Sequence, residues 1–215
     1  MIAASLNAIR EALPSGVSLV AVSKFHPVER LMEAYHAGQR IFGENRPQEL
    51  FAKVPLMPPD VQWHFIGHLQ TNKLKLVLPY VTMVQSIDSL HLLDAVNRWC
   101  LDNGRVVDIL LELHLGAEQT KHGLTESEIL GVLAAAPMEG VRIRGLMGMA
   151  TNTDDAAVVE ADFERIQALF ERIRTMELPG FDQLSIGMSN DWPLAVKHGA
   201  TMVRIGTDIF GPREY

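Results

Sequence analysis

The chain has 215 residues, 47% of them hydrophobic and 21% charged, which is globular composition and excludes wholesale disorder. Nineteen Lys and Arg against 26 Asp and Glu give a net charge of −7, a poor balance for gripping phosphate backbones or anionic lipid. The single cysteine, Cys100, excludes an internal disulfide framework and a thiolate zinc cluster, and no apolar run approaches the 18 or so residues of a membrane span. These features predict a soluble, cytoplasmic protein without nucleic-acid or membrane partners.

The opening MIAASLNAIREALPSG reads as a short amphipathic helix and lacks the basic start and apolar core of a secretory signal. Short runs of Val, Ile, Leu and Met then alternate with stretches whose apolar residues recur at three and four. Near-continuous apolar runs suit strands of a parallel sheet covered on both faces. The first strand is VSLVAVSK, ending at Lys24, with a helix from Pro27 to Gly38. The second is Arg40 to Asn45, with a helix after Pro47. The proline cluster from Val54 to Pro59 fits a loop. The third strand is Val61 to Gly67, with a helix opening near Thr71. The fourth is Met83 to Ile87. Its helix begins at Asp88, with Leu92, Leu93, Val96, Trp99 and Cys100 on one face. The fifth is Val107 to His114, followed by a long loop and a helix from about Thr125. The sixth is Val141 to Ala150. The helix after it places Val159, Phe163, Ile166, Phe170 and Ile173 on one face. The seventh is Gln183 to Gly187, with a helix from about Asn190 to His198. The eighth is Met202 to Thr207. Eight strand–helix units predict a single (β/α)8 TIM barrel over residues 1–215 with an extra N-terminal helix; an open doubly wound sheet is the alternative.

In such a barrel, function collects at the C-terminal ends of the strands. Lys24 shares parity with Val20 and Val22. At a dry rim it loses hydration, and its free amine can condense with an aldehyde or ketone; pointing outward, it is an ordinary strand-end lysine. SIGMSND brings Met188, Ser189 and Asn190 together at a helix start, and RIGTDIFG places Gly206 and Thr207 straight after a strand. Small residues and backbone N–H groups in these two loops suit a phosphate, though an N-cap and a tight turn explain them equally. Arg204, flanked by Val203 and Ile205, must pair with Glu44 or Glu112 or contact a ligand. Asn45 either holds a ligand or caps the next helix. His64 and His68 lack a metal-ligand spacing with any nearby carboxylate, so core or rim packing is expected and no metal is predicted. His114, Lys121 and His122 lie in the fifth loop, which is either a lid or merely solvated. Cys100 and most of the ten methionines read as packing. No dinucleotide or P-loop motif occurs. A lysine, a phosphate cradle and an arginine on one rim suit a ligand with an aldehyde at one end and a phosphate at the other. Pyridoxal 5′-phosphate fits, and so does an open-chain sugar phosphate.

Six blocks resemble the pyridoxal-phosphate homeostasis protein family, related to the N-terminal barrel of alanine racemase. They are AVSK at 21–24, FGEN with QE at 42–49, WHFIGHLQTNK at 63–73, ExxKxG at 118–123, GLM at 145–147, and SIGMSND with GATMVRIGTDIFG at 185–211. The resemblance implies that Lys24 carries the cofactor as an internal aldimine. It implies that Ser189, beside Met188, and the backbone at Gly206 and Thr207 hold the phosphate, that Arg204 faces the pyridine nitrogen, and that Asn45 lies beside the ring. The family usually has Asn where His114 stands, Tyr where Arg46 stands and His where Gln85 stands; these departures are expected to bear on the open face of the site. It further implies a monomer that keeps the free cofactor in balance, with apo-enzymes as recipients and no established turnover. The chain ends soon after the eighth strand, so the second domain of alanine racemase is expected to be absent and one cofactor face open to water. The alternative is a small amino-acid racemase, which needs a second base such as His64, His114 or Lys121.

Overall fold

The computed structural model describes residues 1–116, 122–135 and 137–212. Eight parallel strands close into a barrel in sequence order: β1 (Ser18–Val22), β2 (Ile41–Glu44), β3 (Gln62–Phe65), β4 (Val81–Ile87), β5 (Val107–Glu112), β6 (Val141–Met147), β7 (Gln183–Ser185) and β8 (Met202–Ile205). Closure rests on β1 pairing with β8, Val20 opposite Arg204 and Ala21 opposite Ile205. That pairing excludes the open-sheet alternative.

Helices cover the outside. α1 (Ile2–Ala12) buries Ile2, Leu6 and Ile9 and packs against α2 (Val28–His36) and α9 (Thr207–Phe210). α3 (Pro47–Lys53) follows β2, α4 (Leu74–Val77) follows β3, and α5 (Leu90–Asp102) follows β4. α6 (Glu126–Ala134), α7 (Ala156–Arg174) and α8 (Trp192–Lys197) complete the ring. The expected faces of α5 and α7 are buried: Leu92, Leu93, Val96 and Cys100 on one, Val159, Phe163, Ile166, Phe170 and Ile173 on the other. Thr125 closes a reciprocal capping box with Glu128, which starts α6. Among the described residues no helix is long and apolar enough to cross a membrane.

Several ends differ from expectation. β1 stops at Val22, so Lys24 lies in the turn beyond it. β6 stops at Met147 rather than Ala150, and α8 starts at Trp192 rather than Asn190. The helix expected near Thr71 is one 3-10 turn over Thr71–Lys73 leading into the four residues of α4. Only after β6 does the apolar pattern run on past the ladder, through Met149 and Ala150; at the other ends polar turn residues read as part of the neighbouring element.

Alternation along the strands makes two cores. Leu19, Ala21, Phe42, Trp63, Ile109 and Val203 face the helices. Val20, Met83, Leu110, Met147 and Met202 fill the lumen, with Ile41 against them. Three methionines therefore serve as lumen packing, where an unbranched thioether fills irregular space. A bulge between β5 and β6 brings Gly145 opposite Leu110. A Cβ on Gly145 would meet the Gln183 carbonyl oxygen at 1.7 Å, so only glycine allows the β6–β7 approach there. Gly131 in α6 has open space around it. Gly145→Ala should lower the urea midpoint by the equivalent of more than about 2 kcal/mol. Gly131→Ala should raise stability by about 0.5–1 kcal/mol, because it only removes backbone freedom from the unfolded chain.

Candidate functional site

The lumen holds a chain of buried polar groups at the level of Arg204, which is 4% exposed. Arg204 Nη1 donates to the Ser185 hydroxyl at 2.7 Å and the Ser185 carbonyl at 2.8 Å, and Nη2 donates to the Gly148 carbonyl at 3.0 Å. Ser185 Oγ donates to Gln85 Oε1 at 2.6 Å. That fixes the Gln85 amide, whose Nε2 donates to His64 Nδ1 at 2.8 Å and contacts Met202 Sδ at 3.1 Å. The bonds run in one sense from guanidinium to imidazole. A guanidinium only donates, so each later group must accept from one side and donate to the other.

His64 ends this chain as an acceptor and is therefore neutral. Burial pushes its pKa down to about 4. Arg204 is lowered by desolvation to about 10, against the opposing fields of Glu112 and Asp191, and stays charged at neutral pH. Neither carboxylate expected as its partner pairs with it. Glu44 shares the outward parity of Phe42 and is bonded to Lys53 on α3 at 2.7 Å. Glu112 acts through its field, and desolvation together with repulsion from Asp88 raises its own pKa to about 7. Gln85, expected to bear on the open face, is instead fully buried in the lumen. Gln85 stands two residues after the lumen residue Met83 and so shares its inward face, and Ser86 beside it is buried too.

Lys24 sits half-buried in a turn closed by the His26 N–H donating to the Ser23 carbonyl at 3.1 Å. Phe25 adopts φ 67°, a left-handed conformation that costs a bulky residue about 1 kcal/mol or more. α3 holds both neighbours of the lysine. Lys53 Nζ donates to the Ser23 carbonyl at 2.9 Å, and the Phe25 N–H donates to Glu49 at 3.1 Å. The Arg46 guanidinium lies 4.4 Å from the centre of the Phe25 ring. Sequence reasoning missed Arg46, Glu49 and Lys53 as organisers of this turn. The four-residue spacing of Glu49 and Lys53 on one helix face was the available signal.

Lys24 lines one small opening with Val22, His26, Gly206 and Thr207. Gly206 packs so closely on β1 that a Cβ there would lie 3.2 Å from the Val22 carbonyl oxygen. His26 stacks on Phe210 with ring centres 4.9 Å apart, tying the lysine turn to the segment after β8. Met188 and Ser189 lie in the loop from β7; Asp191 accepts from the Met188 N–H at 2.6 Å. Asn45 follows β2, and its Oδ1 is buried without a hydrogen-bond partner among the described residues. A buried amide oxygen left unmatched in this way is suited to a ligand donor. His114 is half-buried, with Nδ1 3.4 Å from the His122 carbonyl. Lys121 lies outside the described residues.

Residues 1–214 match the alanine racemase N-terminal domain family. A pyridoxal phosphate homeostasis protein from Schizosaccharomyces pombe is 41% identical over 205 residues, covering 92% of this chain and 84% of that one. The human protein of the same description is 37% identical over 212 residues, covering 92% and 77%. This chain belongs to the pyridoxal phosphate homeostasis protein family. PipY of Synechococcus elongatus, solved with pyridoxal phosphate bound, superposes with a TM-score of 0.89 at 37% identity, covering 98% of this chain and all of that one. Alanine racemase from E. faecalis shares the barrel at a TM-score of 0.76 and 18% identity, over 98% of this chain and 57% of its own.

The neutral state of His64 ties stability to pH. Its folded pKa lies below the ordinary 6.5, so the unfolded chain binds the extra proton between pH 6.5 and about 4, and stability falls as pH falls through that window. His64→Asn keeps an acceptor for Gln85 and removes the titration. Urea unfolding at pH 7 and pH 4.5 should show a drop in the variant smaller by roughly 2–3 kcal/mol. Equal drops would show that His64 is not held neutral.

Proposed function

We propose that this chain stores and buffers pyridoxal 5′-phosphate on Lys24, as a Schiff base formed with loss of water, and does not sustain turnover. The observation that carries this reading is that Lys24, Gly206 and Thr207 line a single opening. An aldehyde and a phosphate on one small molecule would reach both sides of it. The family and the cofactor-bound PipY structure support the choice of cofactor over a sugar phosphate.

When bound, the cofactor supplies an electrophilic aldehyde and a conjugated ring. The chain's own groups do the rest. The clamped turn fixes the backbone from which the Lys24 side chain reaches the opening. The N–H groups at Gly206 and Thr207, with Ser189 beside Met188, bind the phosphate. Asn45 Oδ1 takes a donor at the ring edge. Arg204 presents a cation that only donates, so a ring nitrogen facing it accepts and stays unprotonated. An unprotonated ring withdraws electrons weakly, which opposes bond cleavage at an attached amino acid. His64 is an unsuitable second base: it is buried in the lumen and its Nδ1 is occupied by Gln85. The protein acts as a monomer that yields its cofactor to apo-enzymes.

Protein loaded with the cofactor should show a visible absorption band that Lys24→Ala lacks. In deuterated buffer, exchange at the α-carbon of L-alanine should proceed no faster than with Lys24→Ala. Sustained, Lys24-dependent exchange or racemisation would establish the enzyme reading instead.

A further inference from the structure

A second group of side chains converges on another part of the rim, at the ends of β3, β4 and β5. His68 follows β3, Asp88 follows β4, and His122 lies on the return of the β5 loop. A bridge between Leu113 and Leu124 anchors that return, with the His114 N–H donating to the Leu124 carbonyl at 2.9 Å. Gly123 lets it pack directly against His114. His68 Nδ1 lies 2.7 Å from Asp88 Oδ2, and His122 Nδ1 lies 3.6 Å from the same oxygen. The two imidazoles stack with centres 4.1 Å apart and planes 24° apart. One possible ligand atom from each residue falls within 4.8 Å of the others.

We propose that His68, Asp88 and His122 form a binding site for a divalent metal ion of the zinc class. Tetrahedral ligands at zinc distances stand about 3.3 Å apart, and the two nitrogen–oxygen separations straddle that value. Two imidazoles and one carboxylate suit Zn2+, Co2+ or Ni2+ rather than Mg2+ or Ca2+, which favour all-oxygen cages. A hydrogen bond accounts for the His68–Asp88 contact. It does not account for His122, which lies beyond hydrogen-bonding distance while its ring is held against that of His68. The carboxylate is the buried member, and both histidine side chains are about half exposed or more, so an ion can enter from solvent and keep a fourth position for water or an anion. Glu112, close enough to Asp88 for their charges to repel, adds negative field that a cation would relieve. None of the three residues belongs to the proposed cofactor set, so the site stands or falls separately.

The test is a titration of cofactor-free protein with CoCl2, read by visible absorption, followed by displacement with ZnCl2. One equivalent of Co2+ should give visible ligand-field bands that Zn2+ abolishes. His122→Ala and His68→Ala, both at exposed side chains and checked for folding by circular dichroism, should each weaken Co2+ binding at least tenfold. A His36→Ala/His91→Ala variant, altered at exposed histidines elsewhere, should bind as the parent does. Absence of stoichiometric binding, or binding unchanged in His122→Ala, would overturn the proposal. Because no cofactor is present, either result leaves the reading of Lys24 untouched.

Discussion

A charge buried inside the barrel is the constraint on which the rest depends. Arg204 is too costly to bury unless every donor finds a partner, and its register opposite Val20 in the closing β1–β8 pair leaves it no route to water. The solution recruits β7 through Ser185, β4 through Gln85 and β3 through His64. Four of the eight strands are thereby tied across the lumen by directional bonds, above a layer of apolar side chains that specifies volume but not orientation. The same chain fixes which end of Gln85 faces His64 and which nitrogen of His64 accepts. Removing one link would strand the others in low dielectric, where an unmatched polar group costs about 1–3 kcal/mol.

The lysine turn is the second organised element, and it is organised from outside the barrel. Phe25 in the left-handed region is strained, and such strain persists only when the surroundings over-determine it. Glu49 and Lys53 on α3 and Arg46 just before it do so, while Ser23 and Lys53 share the buried Glu44 carboxylate. A reactive amine on a flexible loop would sample many positions. Here both flanking residues are held, so the backbone of Lys24 is fixed beside the opening it lines with Gly206 and Thr207.

The architecture was legible in the sequence because strand–helix alternation is a long-range regularity, read from eight apolar runs and confirmed by the buried faces of α5 and α7. Lys24, Asn45, Arg204 and Gly206 stand out in the sequence for a related reason: each interrupts or ends a strand run. What escaped shares a different property. Gln85 faces the lumen by simple alternation with Met83, but its partners His64 and Ser185 come from two other strands, so its place in the polar chain is not local information. Glu44 was offered to Arg204 because its outward parity depends on where the ladder starts. His68, Asp88 and His122 come from three separate loops, so no spacing rule joins them; only barrel closure does.

The central claim is that Lys24, and not another amine, carries the cofactor. Reduction of the cofactor-loaded protein with borohydride, followed by proteolysis and mass spectrometry, tests it directly. One pyridoxyl group is expected, on the peptide containing Lys24 at the end of AVSK. A label on Lys53 or on scattered surface lysines, with none on Lys24, would contradict it.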